Sequence, residues 1–107
     1  ETMERRAFFI HIYPGKEVEY DKRHDEIWPD MERALTSSGF TNYSLFRSGT
    51  TILGYVECVP TIAQAGEKMG KTEVSLRWNE YMSDVIDPDA TANSLQLREV
   101  WHLFEAR

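Results

Sequence analysis

The sequence predicts an α+β fold, one sheet with a layer of helices, in the order β-α-β-β-α-β. Three observations carry this prediction. Short runs rich in β-branched and aromatic residues alternate with longer runs whose apolar residues recur every three or four positions. Gly and Pro punctuate the joints between them. Two of the strand-like runs are joined by a short turn at Ser48-Gly49, a hairpin connection that makes them antiparallel neighbours. At 107 residues the chain can bury one core but not two, so it reads as a single domain over residues 1–107 with a flexible start at 1–5.

The first strand is RAFFIHIY, residues 6–13, ended by the turn pair Pro14-Gly15. Phe8, Ile10 and Ile12 alternate with Phe9, His11 and Tyr13, so both faces carry apolar bulk, as in a strand covered on two sides. Residues 17–38 form the first helical stretch. Pro29 interrupts it: lacking an N–H, it cannot bond the carbonyl of Asp25, so the helix either kinks or ends one turn and begins another. Gly39 is placed to terminate it. NYSLFR at 42–47 is the second strand, with Tyr43 and Leu45 on one face and Ser44 and Phe46 on the other. The hairpin then leads into TILGYVECV at 51–59, which Pro60 closes. Helix returns at 61–69 and 72–85, broken near Gly70. In the second piece Val74, Trp78, Tyr81, Met82 and Val85 make the apolar face, and Thr72 is a candidate cap. DPDATANS at 87–94 is loop chemistry, and LREVWHLF at 97–104 is a last strand.

That order is the split βαβ arrangement of ferredoxin-like folds. Right-handed crossovers set the first and third strands side by side, with the second and fourth at the edges. Helices cover one face of such a sheet, yet the first and last strands are apolar on both. A second copy is the cheapest cover for the other face, so the expected assembly is a two-fold dimeric α+β barrel.

A net charge of −6 repels phosphate backbones, and the basic pairs Arg5-Arg6 and Lys22-Arg23 make no stripe, which argues against a nucleic-acid partner. No apolar run approaches the ~18 residues of a membrane span. The start, ETMERRAFFIHIY, shows no secretory pattern; Met3 reads as the natural start and the cytoplasm as the compartment. The single cysteine, Cys58, has no intramolecular disulfide partner and reads as a small buried hydrophobe. Three histidines and scattered carboxylates give no HExxH, paired CxxC, calcium loop or Gly-rich phosphate cradle. The expected chemistry uses no cofactor and no tightly held metal.

The chain does carry YDKRHDEIWPDM, residues 20–31. At helical spacing Tyr20, His24, Ile27, Trp28, Met31 and Leu35 share one face, so two proton-transfer groups sit among apolar ones. A kink at Pro29 would open the wall beside His24. Taken alone, a histidine on such a face is more often satisfied core than catalyst, and Tyr20, Tyr43 and Trp78 more often serve packing. Trp28 and Tyr81 read as structural, and Asp21, Lys22, Asp25 and Glu26 as solvated surface. Tyr55 and Glu57 share a strand face, where a carboxylate pairs with an arginine as readily as it catalyses. Trp101 and His102 read as sheet packing or dimer interface.

Over nearly its whole length the chain resembles the L-rhamnose mutarotase family. The matching segments are AFFIHIYPG, EYDKRHDEIWPDM, GFTNYSLF, LGYVEC, RWNEYM and LREVWHL, and the helix motif Y-x-x-R-H-x-x-I-W-P is long and specific. The resemblance implies a small dimeric ferredoxin-like enzyme acting on a sugar. It puts His24 at the family's proposed proton donor, Tyr20 and Tyr43 at sugar contacts, and Trp78 at the first of two adjacent tryptophans lining the pocket. Asn79 replaces the second tryptophan with an amide, and His11 stands where the family has glutamine. Both departures bear on which aldose is bound, His11 only if it faces the pocket.

Mutarotation needs only proton transfers and one torsion: the pyranose ring opens, C1 turns as a free aldehyde, and the ring closes on the other face. No cofactor follows from that chemistry. A histidine titrating near neutrality gives and takes protons, a contribution of ~100- to ~10,000-fold. A tyrosine, with its higher reference pKa, suits hydrogen bonding to the sugar or orienting the imidazole. An indole such as Trp78 or Trp28 offers a flat apolar plate to the C–H face of a pyranose, favouring a deoxy sugar with an exposed methyl. Two other readings stay open. One is a small monooxygenase or haem-degrading protein on the same barrel, which the missing metal-ligand set argues against in its haem form. The other is a non-catalytic sugar-binding module, less economical without a DNA-binding appendage.

Overall fold

A computed structural model describes residues 2–103. β1 (Glu4–His11), β2 (Phe40–Ser48) and β3 (Thr51–Cys58) form one antiparallel sheet in the order β1-β3-β2. Around it lie α1 (Glu17–Asp25), α2 (Pro29–Ser38), α3 (Ile62–Gly70), α4 (Glu73–Tyr81) and the short α5 (Pro88–Ala92). The chain is α+β, and β3 sits centrally between the strands that precede it. Strict alternation in β3 sets the two sheet faces: Ile52, Gly54, Val56 and Cys58 are buried and the residues between them half-buried. Register then assigns the neighbours, since Phe8 and Leu45 both pair with Gly54 and Ile10 with Ile52. Phe8, Ile10, Tyr43 and Leu45 therefore face the helices, and Phe9, His11 and Phe46 face away. The main core joins Ile12, Ile52, Tyr20, Met31, Met69, Trp78 and Val85.

Pro29 breaks the first helical stretch rather than bending it. Trp28 adopts an extended backbone (φ −67°, ψ 133°) and Pro29 opens α2 as its first residue, where a missing N–H costs nothing. Gly39 ends α2 with φ +117°, and a Cβ there would stand 2.2 Å from the carbonyl oxygen of Val59. Both the left-handed conformation and the close backbone approach require glycine.

Four other elements differ from expectation. β1 begins at Glu4, whose carboxylate accepts the Ile62 N–H at 2.8 Å, so the last two residues of the expected flexible start are strand. α4 stops at Tyr81, because the backbone just beyond it serves β1: Tyr13 N–H donates to the Val85 carbonyl at 2.9 Å and Ile12 bridges Ile86. The expected loop at 87–94 contains α5, since the Asp87 carboxylate caps the N–H groups of Asp89 and Ala90, each at 3.1 Å, and Pro88 supplies the first helical φ. Among the described residues the fourth strand of the expected ferredoxin-like sheet is not formed. Residues 95–103 pair with no strand, and Leu95, Val100, Trp101 and Leu103 are exposed; Phe104 lies outside the described residues. A strand exists only with a ladder partner, and side-chain attachment of this segment to β1 comes from Arg5 Nε and Glu99 Oε2 at 2.6 Å. Among the described residues no helix is long and apolar enough to cross a membrane.

Candidate functional site

The helices stand off the sheet on one side, leaving a cavity of about 540 Å³. Ile10 and Leu45 form its floor, and Ile27, Met31, Leu35 and Met69 much of its apolar wall. The polar groups enter from four elements: Tyr20 and His24 from α1, Glu32 and Thr36 from α2, Thr41, Asn42 and Tyr43 from β2, and Asn79 from α4 beside Trp78. His24, Tyr20, Tyr43, Trp78 and Asn79 thus come together on one cavity from elements with as many as four others between them. A second hollow of about 420 Å³ shares Tyr20 and His24 and adds Asp21, Asp25 and Arg47.

His24 is oriented by its own helix. Its Nδ1 lies 2.9 Å from the Tyr20 carbonyl oxygen. A carbonyl only accepts, so Nδ1 carries the hydrogen and the neutral ring keeps its lone pair on Nε2. The ring tilts against Tyr20 with centroids 4.3 Å apart and meets the edge of Trp78 at 5.4 Å. Behind Trp78 an aromatic cluster continues: Trp28 lies edge-on at 5.1 Å and itself packs on Tyr81 at 5.2 Å. Trp28 and Tyr81 are therefore backing, in line with their structural reading.

Tyr20 is 3% exposed, and its hydroxyl has no hydrogen-bond partner among the described residues. An orphaned buried hydroxyl costs about 1–3 kcal/mol. Burial, and secondarily Tyr43 and Asp21, push its pKa far above the ordinary tyrosine value. It stays protonated at neutral pH, so it is able to donate a hydrogen bond but not to serve as a base. Tyr43, on an edge strand, rests against Phe8 and Phe40 with centroids 6.2 and 5.9 Å away.

His11 does not face the cavity. It lies on the opposite sheet face beside Phe9, its N–H donating to Thr91 Oγ1 at 2.9 Å. Its departure from glutamine is therefore not a contact with a ligand in this cavity. Glu57 accepts the Tyr55 hydroxyl at 2.6 Å rather than pairing with an arginine. Cys58 is fully buried, and burial raises its thiol pKa, as suits a packing residue. Among the described residues no group of three or more His, Cys, Asp or Glu side chains is placed to hold a metal ion.

Some features in and around the cavity lie outside the expected set. Asn42 lines it from within the NYS segment, one position from a residue already singled out. Arg23, beside His24 in the helix motif, reaches away from the cavity to Asp84 Oδ1 at 2.9 Å and Glu19 Oε2 at 2.6 Å. Its guanidinium lowers the pKa of the Asp84 carboxyl, as Arg47 does for Asp21. A lowered native pKa means these carboxylates favour folding while ionised; the contribution is complete above the ordinary Asp value of ~3.9 and is lost as pH falls through the lowered native one. Asp84→Asn is accordingly expected to lower Tm near pH 7 and to shrink the Tm loss seen on acidification to about pH 3, followed by calorimetry.

A mostly apolar cavity between sheet and helices, with an oriented imidazole and a few convergent hydroxyl and amide groups, defines a small-molecule site equipped for proton transfer. The model of the L-rhamnose mutarotase family matches residues 5–103. An L-rhamnose mutarotase from Listeria monocytogenes is 37% identical, the match covering 94% of this chain and 99% of the relative. One from Bacteroides thetaiotaomicron is 33% identical with the same coverage. The crystal structure of an L-rhamnose mutarotase from Formosa agariphila superposes with a TM-score of 0.75 at 27% identity, covering 94% of this chain and 99% of that one. The chain belongs to the L-rhamnose mutarotase family, isomerases acting on a carbohydrate. That membership favours neither the monooxygenase nor the binding-module reading.

Proposed function

We propose that this protein interconverts the α and β anomers of L-rhamnose without a cofactor, with His24 as acid and base and Tyr20, Tyr43, Trp78 and Asn79 holding the sugar. The carrying observation is an oriented imidazole and an unpartnered buried hydroxyl, one helical turn apart, on the cavity of a chain of this family. At about 540 Å³ the cavity falls in the ~300–1,000 Å³ range of small-molecule sites.

In ring opening the anomeric O–H loses its proton as the C1–O bond to the ring oxygen breaks, and the ring oxygen gains one. Protonated at Nε2, His24 donates to the ring oxygen while solvent water takes the anomeric proton; on closure Nε2 takes the proton back as that oxygen attacks C1, and water returns one to the new anomeric oxygen. Because Nδ1 is engaged by the Tyr20 carbonyl, exchange is confined to Nε2. The neutral Tyr20 hydroxyl donates to a sugar oxygen, and Trp78 covers the C–H side. Protons balance over the cycle, so turnover consumes nothing.

Tyr20→Phe separates binding from folding. It removes a buried orphan, so Tm is expected to hold or rise while kcat/KM falls by about tenfold or more, the worth of ~1.4 kcal/mol of lost transition-state hydrogen bonding. A parallel fall in Tm and rate would mark Tyr20 as a packing residue.

The same reading completes the fold. Phe9, Leu53 and Phe46 lie on the face turned away from α1 to α4, and exposed residues 95–103 supply strand-like sequence lacking a ladder partner among the described residues. A second copy covers that face and pairs that segment, giving a ferredoxin-like sheet and a dimeric barrel working in the cytoplasm. Sedimentation equilibrium is expected to return twice the chain mass; a monomer at micromolar concentration would rule the dimer out.

A further inference from the structure

α1 carries His24 yet contributes little to the core. Of its residues only Tyr20 is buried, and Val18 is 80% exposed. No other element packs extensively against its backbone. It is tied to the rest of the protein by side-chain bridges, and the most elaborate is made by Arg23. The Arg23 side chain is 12% exposed, and every nitrogen of its guanidinium is engaged. Nε donates to Glu19 Oε2 at 2.6 Å, Nη1 to the Tyr81 carbonyl at 2.7 Å and Asp84 Oδ1 at 2.9 Å, and Nη2 to Asp84 Oδ2 at 3.4 Å. Its flat face lies 4.4 Å from the centre of the Tyr81 ring. The Tyr81 carbonyl belongs to the last turn of α4, where a cation meets the negative end of the helix dipole.

From this arrangement we infer that Arg23 is a positioning residue, clamping α1 to the C-terminal end of α4 and so fixing the imidazole of His24 against Trp78. The inference rests on the proposed role of His24. Adjacent residues on a helix point about 100° apart, so Arg23 grips the end of α4 while His24 turns to the cavity. The chain of contact is continuous: Arg23 on Tyr81, Tyr81 on Trp78 at 5.7 Å, and Trp78 on His24 at 5.4 Å. Planarity matters as well as charge. A lysine ammonium can meet Asp84 or Glu19 but cannot fork to both the carboxylate and the carbonyl while lying flat on a ring.

The test compares Arg23→Ala and Arg23→Lys with wild type and with Arg33→Ala, which removes an exposed pair with Asp30 on α2. Anomer exchange of L-rhamnose is measured across sugar concentration, alongside the His24 Hε1 NMR resonance and amide hydrogen exchange in α1. Both Arg23 variants are expected to lose about 10- to 100-fold in kcat with KM changed less than about threefold, as for a misplaced acid/base group. The His24 resonance shifts, α1 amides exchange faster, and lysine restores Tm better than it restores kcat. Wild-type rates per folded molecule with an unmoved His24 resonance would overturn the clamp, as would full rescue of kcat by lysine. If Arg23→Ala does not fold, Arg23→Lys and Tyr81→Leu, which removes the ring but keeps the carbonyl, give the same readings. If wild type itself shows no exchange, the proposed function fails, and the His24 resonance and α1 exchange decide the clamp alone.

Discussion

Replacing His24 with alanine is expected to lower catalysed anomer exchange of L-rhamnose by ~100- to ~10,000-fold while leaving the protein folded. The asymmetry follows from where the side chain spends its interactions. Its Nδ1 bonds only the carbonyl of its own helical turn, and its ring is half-buried at a cavity wall rather than enclosed in the core. Removing it leaves the Tyr20 carbonyl facing a hydrated hollow, at a stability cost of about 1 kcal/mol. The proposed general acid and base, by contrast, is lost completely. Exchange is read by NMR and folding by circular dichroism melts. A variant that melts far lower but exchanges sugar at the wild-type rate per folded molecule would make His24 a core residue.

Trp78→Ala carries the largest stability effect. Trp78 is 7% exposed, belongs to the main core, and touches His24, Trp28 and Tyr81 while lining the cavity. Truncating such an indole costs about 3–5 kcal/mol, a large part of the ~5–15 kcal/mol that holds a domain together. The same change removes the plate proposed to cover the sugar and the edge that stops the His24 ring, so KM and kcat both worsen. Trp78→Phe keeps an aromatic face and should recover much of the stability and part of the sugar affinity. Urea denaturation midpoints and exchange kinetics on both variants check this. A Trp78→Ala protein with an unchanged midpoint would contradict the packing account.

Local signals were enough for most of the fold. The alternation in β2 and β3, the Ser48-Gly49 hairpin and the Gly39 stop each depend on a few neighbouring residues, and each stands where the sequence puts it. Pro29 left two outcomes open because backbone geometry at Trp28 decides between kink and break. The turn-forming composition around Asp87 predicts a loop, although Asp-Pro is also a cap followed by a first-turn proline. The last strand, unpaired among the described residues, differs from expectation for another reason. β propensity at 97–104 is encoded locally, but its ladder partner is not.

The site divides in the same way. His24 and Tyr20 were legible because they sit one turn apart on a single helix, whereas Tyr43, Trp78 and Asn79 were singled out as cavity residues by the family motif. His11 was an open question until register fixed which face of β1 meets the helices; once Ile10 points inward, His11 points out. Arg23 was invisible as a clamp, since its partners Tyr81 and Asp84 lie 58 and 61 residues along the chain.

The most direct test of the central claim is saturation transfer between the two H1 resonances of L-rhamnose in the presence of purified wild-type protein. Transfer well above the protein-free rate, at protein concentrations far below that of the sugar, is the predicted result. Transfer indistinguishable from the spontaneous rate, with sugar binding seen by ligand-induced stabilisation, would contradict it and leave a binding protein in the mutarotase fold.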